Sequence, residues 1–333
     1  MIRRVMAIAG FVACAACGAC GAVVGPDLTT SPLALFDRVW SDFDLHYSLF
    51  VVKGINWDSL RAVYRPQAAQ ATNQFGAQNV VVRLLANLHD GHVQFRGAAT
   101  GTTLYGNADV PTVTYGKYIK QEGDFRDGVS FGTASPTIGY IEISTFDGAQ
   151  FLSEVDSALA VLRGAQTIII DVRNNDGGLV DNAIGAASRF AQHRTAVAYV
   201  RYRNGPAHTD FTKYLEQQVQ PAGPFQFTGL VYLLTSRNTV SAAELFALAM
   251  HAVGRTTVVG DTTAGETGSP FARELQNGWT YQLPESIEYT LAGDSFEDIG
   301  VPPDVPLRNT NRQIQANIDA QLERAIALAS QPN

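Results

Sequence analysis

The sequence predicts an α/β core of largely parallel pairing, preceded by a small helical unit. Two patterns carry this expectation. From Thr137 to Asp261 short apolar runs alternate with amphipathic stretches, as repeated strand–helix units require. From Leu35 to Phe50 the residues Phe36, Trp40, Phe43, Tyr47 and Phe50 recur at alternating steps of four and three, which places five large side chains along one helical face. A chain of 333 residues with 46% hydrophobic and 17% charged content buries such a core without disulfide or metal staples, and disorder or a collagen-like repeat is excluded.

Residues 1–20 read as a targeting segment. Arg3 and Arg4 precede an apolar run from Val5 to Ala19, too short to span a bilayer and suited to the hydrophobic region of a secretory signal. Cys14, Cys17 and Cys20 are the three cysteines of the chain. Each follows small residues and resembles the lipobox cysteine of bacterial lipoproteins, although none has leucine three places earlier. A lipid anchor through one of them, in the bacterial periplasm or cell envelope, is the expectation. An iron–sulfur run of the same spacing lacks a fourth nearby cysteine. Over the whole chain 24 Lys and Arg stand against 31 Asp and Glu, a formal charge of −7, which argues against nucleic acid as a partner.

Residues 30–95 form the expected helical unit, with helices over Leu35–Phe50, Asp58–Tyr64 and Gln78–Leu88. Residues 96–135 are rich in Gly, Thr, Val and Tyr, with alternation from Val110 to Tyr115, and predict short strands. The core, 136–330, begins with strand, helix and strand: TIGYIEIS, the stripe Phe151, Val155, Leu159 and Leu162, then TIIIDVR. A helix after Gly178, the strand GLVYLLTS, a helix from Ser241 and the strand TTVVGD follow. Ile314, Ile318, Leu322 and Ile326, spaced by four, predict a last helix from Asn311 to Ser330.

Three segments are candidates for chemistry. In LTSRNTVSAAE a strand runs through a polar turn into a helix at Ser241. Ser241 and Glu244 have the spacing of a capping box; equally, a hydroxyl at such a turn is exposed, and the helix start directs free N–H groups and positive dipole toward an anion. In TIIIDVRNNDGG a buried strand breaks into paired glycines, which make either a tight turn or backbone amides open to close approach. In LHDGH, His89 and His92 flank an acid and a glycine. Paired histidines suit metal, for which no third ligand is evident, or one of them acts as the general base that a serine nucleophile needs.

In this order these segments resemble the tail-specific, or C-terminal-processing, serine protease family, in particular the branch that contains the tricorn protease core. GINWDSLRAVYRP resembles that branch's helical entry, LHDGH its histidine motif, IGYIEISTF and IIIDVRNNDGG two core strands, NTVSAAE the nucleophile turn, VVGDTTAGETG the next strand and loop, and FEDIGVPPDV the closing motif. The resemblance covers Leu35 to Leu328. It implies a ClpP/crotonase-like βα core, Ser241 as nucleophile, His92 as base, Glu297 as the acid partner, and the amides of Gly178 and Ala242 as oxyanion donors. It also implies hydrolysis of peptide or protein substrates with neither metal nor organic cofactor. Two departures stand out. Glu266 occupies the position of the lysine used by the family's serine–lysine branch. The stretch between His92 and Ile143 is too short for the PDZ domain that many relatives carry, which predicts a PDZ-less protease. The fold also resembles the interphotoreceptor retinoid-binding protein, so an apolar-ligand or peptide carrier is the alternative.

Overall fold

The computed structural model describes residues 31–97, 101–103 and 115–331. The expected targeting segment with Cys14, Cys17 and Cys20, and the alternation over Val110–Thr114, lie outside the described residues. Three helices come first: α1 (Pro32–His46), α2 (Trp57–Gln70) and α3 (Gln74–Leu85). Strands β1 (Gln94–Arg96), β2 (Gly101–Thr103), β3 (Lys120–Asp124), β4 (Val129–Ser135) and β5 (Ile138–Ile143) follow, then α4 (Phe151–Val161), β6 (Thr167–Asp171) and α5 (Val180–Ala187). The chain continues through β7 (Thr195–Tyr202), β8 (Leu215–Val219), β9 (Leu230–Thr235), α6 (Ala242–Ala252), β10 (Thr256–Gly260), β11 (Pro270–Glu274), β12 (Thr280–Pro284), β13 (Ser286–Tyr289), β14 (Val305–Pro306), α7 (Asn311–Gln315) and α8 (Ala320–Ala329).

The core is a seven-stranded sheet in the order β14-β10-β9-β6-β5-β4-β3. Pairing is parallel from β14 to β5 and antiparallel from β5 to β3, so the fold is a mixed α/β architecture. Because side chains alternate along a strand, Ile168 and Ile170 of β6 enter one apolar layer with Phe146, Phe151 and Phe246, while Ile169 enters the opposite layer with Leu322 and Ala325 of α8. Both faces are therefore covered, as parallel sheets require.

The helical unit borrows its closure from far along the chain. Phe36, Phe43, Tyr47 and Trp57 pack with Trp279, which directly precedes β12, and with Tyr281 and Leu283 of β12 itself, a strand of a second sheet in the order β11-β12-β1-β2.

Several helix ends differ from the periodicity; α3, expected over Gln78–Leu88, begins four residues earlier and gives way to a 3₁₀ turn over Ala86–Leu88. The α1 stripe continues through Tyr47 and Phe50, but the helix ends at His46 and these side chains are buried from the following loop. The second helix runs through Pro66 to Gln70. Pro66 removes one N–H, and the bidentate pairing of Arg65 with Asp37 of α1, at 2.8 Å on both contacts, holds this stretch in register. The single helix expected over Asn311–Ser330 is two, α7 and α8. Asn317 adopts φ +55° and Asp319 caps α8 by accepting from Leu322 N–H at 3.0 Å, which starts a new helix.

Candidate active site

Parallel strands deliver their C-terminal ends to one edge, where the turn after β6 meets the turn after β9. Asn175 fastens the two together. Its side-chain amide donates to the Ile143 carbonyl at 2.9 Å, its Oδ1 accepts from Gly177 N–H at 2.9 Å, and its own carbonyl accepts from Val240 N–H at 2.9 Å. Thr239 Oγ1 adds a bond to the Val172 carbonyl at 2.8 Å. Gly177 and Gly178 have φ +101° and +129°. A Cβ on Gly177 would stand 2.9 Å from Ser241 Cβ, and one on Gly178 2.7 Å from the backbone of Phe146 and Asp147. Glycine is therefore required at both for conformation and for space. The amides of Gly178 and Ala242 have no hydrogen-bond partner among the described residues.

Ser241 itself has φ +56° and ψ −121°, a region a non-glycine residue occupies at a cost of about 1–3 kcal/mol unless its surroundings hold it there. Glu244 is that support. Fully buried, it accepts from Ser241 N–H at 3.1 Å, Thr263 Oγ1 at 2.6 Å, Gly265 N–H at 2.7 Å and Glu266 N–H at 2.9 Å. These donors favour the ionised form, yet burial outweighs them and pushes the carboxyl up to about 8.

His92 stands on the turn that follows α3. Asp90 shapes this turn: its Oδ1 accepts from His92 N–H at 2.8 Å while its Oδ2 accepts from Tyr47 Oη at 2.8 Å. His92 is 9% exposed, and its Nδ1 is buried with no hydrogen-bond partner among the described residues. Burial holds its pKa below the ordinary histidine value against the opposing pull of Asp90 and the Thr267 backbone. A neutral ring with an unengaged nitrogen is the state a proton acceptor needs. By contrast His89, three residues earlier, is exposed, with a left-handed φ of 47°.

Glu297 is 4% exposed. Its Oε2 accepts from Thr267 N–H at 2.7 Å and Thr267 Oγ1 at 2.8 Å, and its Oε1 pairs with Lys53 Nζ at 2.8 Å. Burial and then the Asp90 charge push it up to about 8, while Lys53 opposes them. Glu297 makes no hydrogen bond to His92 among the described residues; Thr267 stands between, with its N–H and hydroxyl on the carboxylate and its backbone on the imidazole.

The loop from Thr263 to Thr267 is thus the hub. Glu244 binds it from the Ser241 side and Glu297 from the other. The carboxylate of Glu266 lies so close to Gly91 that a Cβ there would be 2.1 Å from its Oε2. No hydrogen bond joins Ser241 to His92 among the described residues. Sequence reasoning missed Asp90, Tyr47, Thr267 and Lys53, and saw Glu244 only as a cap. Local signals existed for Asp90, inside LHDGH, and for Lys53, which directly precedes GINWDSL.

Comparison with known proteins places these residues in context. The model of peptidase family S41 matches residues 137–307, and that of the tricorn protease C1 domain matches residues 30–86. The carboxy-terminal processing protease CtpA of Bacillus subtilis is 28% identical over 170 residues, which cover 50% of this chain and 34% of that protein. The tricorn protease of Thermoplasma volcanium is 27% identical over 193 residues, 57% of this chain and 17% of that protein. The match thus spans about a third or less of the length of these curated relatives, at 34% and 17%. A crystal structure of a putative peptidase from Parabacteroides merdae superimposes with a TM-score of 0.81 at 25% identity, covering 91% of this chain and 98% of that one. Mature CPAF complexed with lactacystin shares the fold at a TM-score of 0.68 and 12% identity, with 90% and 97% covered.

Proposed function

Because the chain belongs to peptidase family S41, we propose that it is a serine endopeptidase working by acyl transfer through Ser241, His92 and Glu297. The observation that carries this reading is the strained Ser241, packed against Gly177, together with the amides of the adjoining Gly178 and Ala242, which no described residue engages. In the proposed reaction Ser241 Oγ attacks the peptide carbonyl and its proton passes to His92. The two amides take the charge that develops on the carbonyl oxygen, each worth about 10²–10³ in rate by analogy with other oxyanion holes. The protonated imidazole then gives its proton to the leaving amine, and water, deprotonated by the same imidazole, releases the acyl group. Glu297 acts at one remove, orienting the ring through Thr267.

Unstructured segments of exported proteins are the proposed substrates. The relatives named for carboxy-terminal processing favour segments near chain ends. The leader with Cys14, Cys17 and Cys20 supports an exported, lipid-anchored protein of the cell envelope.

The test is turnover of an unfolded protein substrate together with labelling by a fluorophosphonate. Wild-type protein is expected to be derivatised at Ser241, and Ser241→Ala to fold normally while losing turnover by several orders of magnitude. Undiminished turnover in Ser241→Ala overturns the assignment; a folded wild-type protein that neither labels nor cleaves favours a carrier.

A further inference from the structure

Lys53 takes no part in the chemistry above, yet it is among the most constrained side chains near the site. It leaves the loop after α1, its side chain is 4% exposed, and its ammonium meets three acceptors: Glu297 Oε1 at 2.8 Å, Asp298 Oδ1 at 2.7 Å and the His89 carbonyl at 3.3 Å. An ammonium has three protons to give, so its capacity is filled. Two of these partners share a property. His89 and Asp298, with φ 47° and 58°, are two of the four non-glycine residues in left-handed conformation among the described residues. Such backbone costs about 1–3 kcal/mol per residue and persists where other contacts impose it. His89 opens the turn that carries His92, and Asp298 directly follows Glu297.

We propose that Lys53 is a positioning residue that clamps these two strained turns together and so sets the alignment of His92 against Glu297. The proposal rests on the reading of Ser241, His92 and Glu297 as the catalytic set. Lys53 also matters to charge. Glu297 faces Lys53, Asp90 with the Tyr47 hydroxyl upon it, Asp298, and His92 across Thr267. Lys53 is the cation that opposes burial and Asp90 there, so removing it drives Glu297 further up.

The experiment measures kcat and KM against pH for wild type, Lys53→Met and Asp298→Gly. Lys53→Met is expected to lower kcat about 100-fold with little change in KM, the mark of misalignment rather than lost binding, and to move the limb governed by Glu297 ionisation to higher pH. Asp298→Gly removes one arm of the clamp at a largely exposed position whose backbone glycine adopts freely. It is expected to fold and to show a smaller fall in kcat at unchanged KM. A parallel arm follows the His92 ring by NMR in Ser241→Ala with and without Lys53→Met, where a displaced imidazole titration is expected. Wild-type kcat and pH profile in folded Lys53→Met and Asp298→Gly, or in Asp298→Gly alone should Lys53→Met not fold, overturn the proposal. So does an unmoved His92 titration. Failure of the peptidase reading is distinct, since it appears as absent turnover and labelling in the wild type whatever the NMR arm shows.

Discussion

The backbone N–H groups of Ser241 and Glu266 converge on one oxygen of Glu244, at 3.1 and 2.9 Å. Through that oxygen the strained turn at Ser241 is fastened to the loop that reaches toward Gly91. Above about pH 8, where Glu244 carries its charge, a carboxamide at 244 replaces two acceptor oxygens by one and turns an NH₂ toward two of the four donors. Leaving a buried donor unpaired costs about 1–3 kcal/mol, so Glu244→Gln should destabilise the fold by at least about 2 kcal/mol and depress turnover further than that loss of folded protein explains. Urea unfolding beside active-site labelling checks this. An unshifted midpoint would contradict the role given to Glu244.

The same burial predicts how stability depends on pH. Glu244 and Glu297 are both pushed up to about 8 in the folded chain, against about 4.3 for an unfolded glutamate. Between these values the folded state binds more protons than the unfolded one, so stability is greatest toward the acid end and falls as pH rises to about 8. Glu288, raised by burial, acts in the same direction. His92 is shifted down and acts oppositely, but only up to its unfolded value of about 6.5. From about pH 6.5 to about pH 8 the glutamates alone decide, and the unfolding midpoint should drop across that interval. A flat or rising midpoint there would refute the assignment.

The strands β5, β6, β9 and β10 and the helices α4 and α6 were legible because each carries its own period. Ile168, Ile169 and Ile170 form an unbroken apolar run because both faces of β6 are covered. The Ser241 turn was legible as well, since its capping acid lies three residues on. Pairings without local periodicity were not. Lys53 and Glu297 are brought to 2.8 Å only by the docking of the helical unit, and Trp279 completes a core whose other members lie mostly before residue 96. The break between α7 and α8 was hidden for a related reason. The isoleucine spacing runs on through it, whereas the cap at Asp319 depends on Arg173, whose Nη1 reaches Asp319 Oδ1 at 2.8 Å from across the sheet.

Gly177→Ala tests the contact between the two turns. The added methyl would stand 2.9 Å from Ser241 Cβ and 3.1 Å from the Val240 carbonyl, at a φ of +101° that alanine resists. Neither neighbour is the free end of a flexible side chain, so the turns must separate. Fluorophosphonate labelling is expected to collapse, with a loss of stability on the order of 1–3 kcal/mol. Gly91→Ala is the contrasting case: the nearest atoms to its methyl are the carboxylate atoms of Glu266, the far end of a flexible side chain rather than backbone. It should remain folded and close to wild type in stability, as thermal unfolding will report.

His92 and His89 lie three residues apart in one turn, and their exchange separates base from metal ligand. His92 is buried with an unengaged Nδ1, whereas His89 is exposed and contributes its carbonyl to Lys53. If proton transfer is the role, His92→Gln removes it while keeping a polar side chain of similar reach, and kcat should fall about 10²–10⁴-fold. His89 needs a replacement that tolerates left-handed backbone, for which asparagine is better suited than glutamine. His89→Asn should keep the Lys53 contact, which is made to the backbone, and most of the turnover. If instead the pair held a metal, both changes would cost alike and added zinc would restore activity. Steady-state kinetics on the two variants, with and without zinc, decides between these outcomes. The unengaged Nδ1 of His92, beside a His89 held by its carbonyl, favours the asymmetric one.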